Sequence, residues 1–145
     1  MNTLNPLPKK YRAVHEARSL TGERNLVKAY QKIRALGPQV LVVKRGEYGV
    51  SLFTPEGCFM APAFPLEEVH DPTGAGDTFA GGFLGHLATQ DTLDLATLKQ
   101  AILTGTVMAS FTVEAFGTTC LQGLNAHRIQ ERRTLFSDMI QVTSN

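Results

Sequence analysis

The 145-residue chain has no tryptophan, only two cysteines, and few charges, 19% of its residues. Fourteen Lys and Arg against thirteen Asp and Glu leave a formal net charge of +1. That near-neutrality gives no electrostatic footprint for nucleic acid, which is held by clustered basic side chains. Scarce charge beside 43% hydrophobic residues excludes an intrinsically disordered chain. No apolar run approaches the ~18 residues of a membrane span, so no membrane partner is expected. The opening MNTLNPLPKKYRAV holds no apolar core of a secretory signal. Cys58 and Cys120 stand in no metal-ligand spacing and read as buried free thiols of a cytoplasmic protein. His15, His70, His86 and His127 are scattered and form no metal pair. A chain of this length fits one domain whose core needs neither disulfide nor metal.

Periodicity orders the rest. Residues 1–12 read as an irregular lead-in and 13–145 as one α/β domain. Gly22 reads as a helix stop. Leu26, Ala29, Ile33 and Leu36 predict a helix over 25–36, with its apolar stripe inward, ended by Gly37-Pro38. The β-branched run Val40–Val43 predicts a strand buried on both faces, as in a parallel sheet. Val50–Phe53 and Cys58–Ala61 predict two short strands around a Thr-Pro-Glu-Gly turn. A Gly-rich segment then leads into a helix from Phe79 to Leu87. Gly81, Gly82 and Gly85 within it cost about 1 kcal/mol each relative to Ala, which close helix approach would offset. Leu95, Leu98, Ile102, Gly105 and Met108, widened by Ala101 and Phe111, predict a largely buried helix over 95–113. In a last helix over 125–140, Ile129, Leu135, Phe136 and Met139 are expected inward. Arg128, Glu131, Arg132 and Arg133 are expected in water.

The chemistry concentrates in Gly74-Ala75-Gly76-Asp77. A Gly-rich turn at a helix start aims backbone N–H groups outward, and the helix dipole adds about half a positive charge there. Together they make a pocket for a phosphate or a developing phosphoryl charge. The Asp77 carboxylate beside it has two readings: a base for an attacking hydroxyl, or a helix cap. There is no Gly-Lys-Ser/Thr of a P-loop, and the glycine spacing differs from a dinucleotide fingerprint.

The stretch D-P-T-G-A-G-D-T-F-A-G-G-F from Asp71 resembles the second signature of the ribokinase-like (PfkB) carbohydrate kinases, D-T-x-G-A-G-D-x-F. Three weaker matches lie in the family's order. E-A-R-S-L-T-G-E from Glu16 resembles the segment that begins with an Asn-x-x-Glu motif. Lys44-Arg45-Gly46-Glu47-Tyr48-Gly49 resembles the strand-turn along ATP. G-T-V-M-A-S-F-T-V-E-A-F-G-T from Gly105 resembles the adenine wall. The resemblance implies the C-terminal half of a doubly wound three-layer α/β/α sandwich. It implies ATP, Mg2+ and, where the family has such a site, K+, with a sugar or nucleoside-like substrate as the other ligand. By the same resemblance Asp77 is the catalytic base, and Gly74, Ala75 and Gly76 form the anion hole. Lys44, Gly46, Gly49, Thr73, Ala109 and Gly117 would bind nucleotide. Glu16 would hold magnesium through water, and Asp71 would sit by a monovalent cation. Structural alternatives stay open: a turn for Asp71, a hairpin for Gly46 and Gly49, a helix surface for Glu16.

Two departures stand out. Ala13 occupies the place of the motif's Asn, and the family's sugar-binding N-terminal half with its β lid has no counterpart. The expectation is therefore a kinase half, or else a non-catalytic nucleotide-binding or assembly module. Val40–Val43 would be a bare inner strand, inviting a homodimer or a separate N-terminal half as partner.

Overall fold

The computed structural model describes residues 11–13, 17–114 and 119–142, with 11–13 and 119–120 described by backbone alone. The elements in chain order are β1 (Tyr11–Ala13), α1 (Ala17–Thr21), α2 (Leu26–Ala35), β2 (Val40–Lys44), β3 (Val50–Thr54), β4 (Gly57–Ala61), α3 (Ala75–Leu87), α4 (Leu95–Val113), α5 (Thr119–Gln122) and α6 (Ala126–Ile140). A short 3-10 turn, Gly46–Tyr48, joins β2 to β3. The chain forms two units, 1–45 with 50–60 and 46–49 with 61–145. Among the described residues, no helix is long and apolar enough to cross a membrane.

The first unit is built on a sheet of order β1-β2-β3-β4. The β-branched run of β2 is buried throughout from Val40 to Val43, as expected. The sheet is mixed, however: β1 pairs with β2 in parallel, Arg12 opposite Leu41, while β2 and β3 run antiparallel, Val42 opposite Leu52. So β2 is not the bare strand that the sequence suggested. Its free edge is taken by β1, which begins at Tyr11, inside the stretch read as irregular. Helix α2 starts because the Asn25 side-chain oxygen accepts the N–H groups of Val27 and Lys28. It buries Ala29, Tyr30 and Ile33 in a cluster with Ala17, Leu41, Val43 and Phe53. Tyr30 stacks on Phe53 with ring centroids 5.2 Å apart. Leu36, expected inward, is 74% exposed, because as the C-cap residue it lies beyond the last turn of that stripe. The β3–β4 hairpin is fixed by the Thr54 hydroxyl, which donates to the Gly57 carbonyl and accepts from the N–H groups of Glu56 and Gly57. Cys58 is exposed, contrary to expectation, since β4 is the outer strand of the sheet, where only Ala61 is buried and Phe59 half-buried. The Cys120 side chain lies outside the described residues.

In the second unit Asp94 caps α4, accepting the Thr97 N–H, and Asn125 caps α6, accepting the Arg128 N–H. The predicted breadth of the α4 stripe is realised: Leu98, Ala101, Ile102, Leu103, Val107 and Phe111 are all buried. Helices α3 and α4 touch through glycine. A Cβ on Gly105 would lie 2.8 Å from the Phe79 carbonyl oxygen, and one on Gly82 would lie 2.9 Å from Met108 Cγ. Close approach thus explains Gly82, while Gly81 and Gly85 face open space and nothing in the structure explains them.

Helix α6 is rotated from the expected face. Phe136 is fully buried, but Leu135 is 54% and Met139 51% exposed. The inward stripe is instead Ile129, Arg132 and Phe136, at helical spacing. Arg132, expected in water, pairs with Glu114 and lies over the Phe111 ring. A charge with such partners tolerates burial, and that allows the rotation.

His86 on α3 meets the Thr104 hydroxyl through Nδ1 at 3.2 Å. Burial, and then the Arg133 charge, lower its pKa from the ordinary 6.5. The neutral form is therefore favoured by folding. Its contribution is complete above the unfolded pKa and is lost as pH falls through the folded one. Replacing His86 with Gln should flatten the loss of stability as pH falls below 6.5, read as Tm against pH. A slope identical to wild type would contradict this. The glycine contact gives a sharper contrast. Gly105→Ala should destabilise by about 1–3 kcal/mol through overpacking. Gly81→Ala should stabilise by about 0.4–1 kcal/mol. Thermal unfolding of both variants checks this, and equal shifts would rule out the close approach.

Candidate active site

Helix α3 opens at Gly74, whose backbone is left-handed, φ 82° and ψ −8°. That conformation is inexpensive only for glycine. As the N-cap it brings no side chain to the N–H groups of the first turn. Such groups carry the positive end of the helix dipole and face whatever lies in front of the helix. The turn is tied by its own backbone: Ala75 N–H donates to the Pro72 carbonyl at 3.2 Å, and Thr78 N–H donates to the Gly74 carbonyl at 2.9 Å.

Asp71 shapes the approach to this turn. Its Oδ1 accepts the Thr73 N–H at 2.8 Å. Hydrogen bonds from the Thr73 side chain, and then from its backbone, hold the Asp71 carboxyl below its ordinary 3.8. The carboxylate is thus engaged in the turn, as the structural alternative for Asp71 requires. The last turn of α4 holds the segment from two sides. The Val113 carbonyl accepts the His70 N–H at 2.9 Å, and the Thr112 hydroxyl donates to the Thr78 hydroxyl at 2.8 Å.

Asp77 lies in the first turn of α3 and is exposed. It is not the N-cap, which is Gly74, and that removes the simple capping alternative. Among the described residues no hydrogen bond or ion pair engages its carboxylate. The carboxylate stands in the same helical turn as the N-terminal backbone of α3. One turn therefore places a left-handed glycine at a helix start and an exposed carboxylate within four residues of each other.

The other expected residues are distributed as follows. Thr73, Gly74, Ala75 and Gly76 share the turn with Asp77. Ala109 is half-buried on α4, one helical turn before Val113. Lys44 ends β2 in the first unit. Gly46 and Gly49 bound the 3-10 turn at φ 59° and φ 83°. A Cβ on Gly49 would run into the Ala61 carbonyl oxygen and the Pro62 backbone, so packing alone demands glycine there. Glu16 and Gly117 lie outside the described residues, as does the Ala13 side chain. Among the described residues no group of three His, Cys, Asp or Glu side chains could hold a metal ion. Sequence reading missed Thr78, Thr112 and Val113 as supports of the turn, since bonds between distant helices leave no periodic signal.

Comparison with known proteins places this geometry. Residues 13–122 match the family model described as pfkB family carbohydrate kinase. A cytidine kinase from Thermococcus kodakarensis is 43% identical over 72 residues, 48% of this chain and 25% of that protein. An aminoimidazole riboside kinase from Salmonella typhimurium is 37% identical over 98 residues, 68% of this chain and 30% of that protein. The crystal structure of aminoimidazole riboside kinase from Salmonella enterica, complexed with aminoimidazole riboside and an ATP analog, superposes with a TM-score of 0.71 at 31% identity. That match covers 85% of this chain and 41% of that one. Arabidopsis thaliana ribokinase, at 22% identity and a TM-score of 0.70, shares the fold. The chain spans well under half the length of these relatives. The expected α/β, ribokinase-like class holds. With the glycine turn in place at the head of α3 and the family match running through it, the chain belongs to the pfkB family of carbohydrate kinases.

Proposed function

We propose that this chain supplies the nucleotide-binding and catalytic part of a kinase that transfers the γ-phosphoryl of Mg-ATP to a hydroxyl of a sugar or nucleoside. The observation that carries the reading is the left-handed, uncapped Gly74 turn with an exposed carboxylate, Asp77, in the same helical turn. Phosphoryl transfer asks little covalent chemistry of a protein and much positioning and charge stabilisation. The Gly74-Ala75-Gly76 turn would present the positive end of the α3 dipole to the charge that develops on the transferring phosphoryl oxygens. Asp77 takes the proton of the attacking hydroxyl as the new O–P bond forms and the bond to ADP breaks. Asp71 acts one step back, holding Thr73 and the entry to the turn.

When bound with nucleotide, magnesium supplies positive charge to the phosphate oxygens. A metal carried largely by phosphates and water suits a site where the described residues form no protein cage. Glu16 is the residue assigned to its waters, and K+ beside Asp71 would add positive charge next to the turn. Lys44, Gly46, Gly49, Thr73, Ala109 and Gly117 are assigned to the nucleotide. Two relatives are named for ribosides, so ribonucleosides are the first acceptors to try.

Isothermal titration of the full chain with Mg-AMP-PNP should show saturable binding. Its absence up to millimolar nucleotide would overturn the proposal. Asp77→Asn should lower kcat for phosphoryl transfer by about 10²–10⁴ without weakening nucleotide binding. One observation favours a second reading, a module that binds nucleotide without transfer: Ala13 stands where the family motif has Asn. Binding with no transfer to any sugar or riboside would select it.

A further inference from the structure

We propose that Arg132 of α6 is a positioning residue for the Gly74 turn, acting through the last turn of α4. The inference rests on the nucleotide reading above. Arg132 lies on a helix face that the sequence assigns to solvent, yet its side chain is only 17% exposed. Its Nη1 donates to Glu114 Oε2 at 2.9 Å and to the Ser110 hydroxyl at 3.0 Å, and its Nη2 donates to Glu114 Oε1 at 2.9 Å. The guanidinium also sits 3.7 Å from the Phe111 ring centroid and 5.1 Å from that of Phe64. One side chain thus grips Ser110, Phe111 and Glu114, which are consecutive contacts around the C-terminal end of α4. Only a planar fork does this, because an ammonium cannot serve both carboxylate oxygens and a hydroxyl in one plane.

The same helix end touches the glycine turn. Thr112 bonds Thr78, and its Cγ2 lies 3.8 Å from where a Cβ on Gly74 would sit. Val113 takes the N–H of His70, just before Asp71. Residues 110, 111 and 114 are therefore held from the α6 side, while 112 and 113 hold the turn. A helical turn moves as a rigid piece, so loosening the first set displaces the second. Arg132 has no part in the chemistry itself.

The test measures Mg-AMP-PNP affinity and amide hydrogen exchange on the full chain for Arg132→Met, Arg132→Lys, Glu114→Gln and the Arg132→Met/Glu114→Gln double variant. All measurements are made well below each Tm, with folding confirmed by circular dichroism. Arg132→Met should weaken nucleotide about tenfold, a coupling of ordinary size for residues outside a site. Arg132→Lys should fail to restore affinity, and the double variant should bind no worse than Arg132→Met. Exchange at residues 74–78 should quicken in each. If the variants melt earlier but bind and exchange at 74–78 like wild type, Arg132 is structural only and the inference fails while the nucleotide reading stands. If wild type itself binds no nucleotide, that reading fails, and unchanged exchange at 74–78 would then overturn the positioning role independently. Should Arg132→Met not fold, Arg132→Lys and Glu114→Gln decide on the same two readouts.

Discussion

The distance between α3 and α4 is set by backbone against backbone, with Gly82 and Gly105 facing each other and Phe79 closing the gap. A Cβ on Gly105 meets the Phe79 carbonyl oxygen, and one on Gly82 meets Met108 and, at 3.1 Å, the Gly105 Cα. Everything that matters at the head of α3 is measured from this contact. The Thr78–Thr112 bond and the capture of His70 by Val113 exist because the two helices run this close. A wider spacing would leave the glycine turn attached only through its own short loop.

The four longer helices begin in two different ways. Asn25, Asp94 and Asn125 cap α2, α4 and α6 with a side-chain oxygen. Helix α3 begins with Gly74 and no such oxygen. A polar cap brings a side-chain acceptor to the first-turn donors, whereas the turn before α3 is closed by backbone alone, with the Ala75 N–H on the Pro72 carbonyl. The helix that forgoes the cap is also the one carrying a carboxylate in its first turn, so positive backbone and negative side chain lie within a few residues. The proposed phosphoryl transfer draws on that combination.

Much of this was legible in the sequence, and the reasons differ by element. The long helix α4 was found over 95–113 because its apolar stripe is broad, with Ala101 and Phe111 widening it. The hairpin was found because Thr-Pro-Glu-Gly punctuates two short apolar runs. The glycine turn was found because Gly74-Ala75-Gly76-Asp77 is dense in residues with few other uses. What escaped were pairings between distant segments. A three-residue strand at Tyr11–Ala13 is too short for a periodic signal, so the neighbour of β2 was missed. Arg132 was misplaced because charge in a helix reads as solvent, and its partner Glu114 is 18 residues away. Cys58 was misplaced because composition cannot tell an edge strand from a central one.

The glycine contact has a mechanical consequence. Flexible side chains between two helices act as a cushion, taking up small shifts by changing rotamer. Where main chain meets main chain no such cushion exists, and a shift in α4 passes to α3 at full amplitude. The pair is therefore stiff, and it opens as one. Neither helix can fray inward without exposing the other, which makes α3 and α4 a single cooperative unit of local unfolding. The turn at the head of α3 inherits that cooperativity: its order lasts as long as that of the longest helix in the molecule, and ends with it.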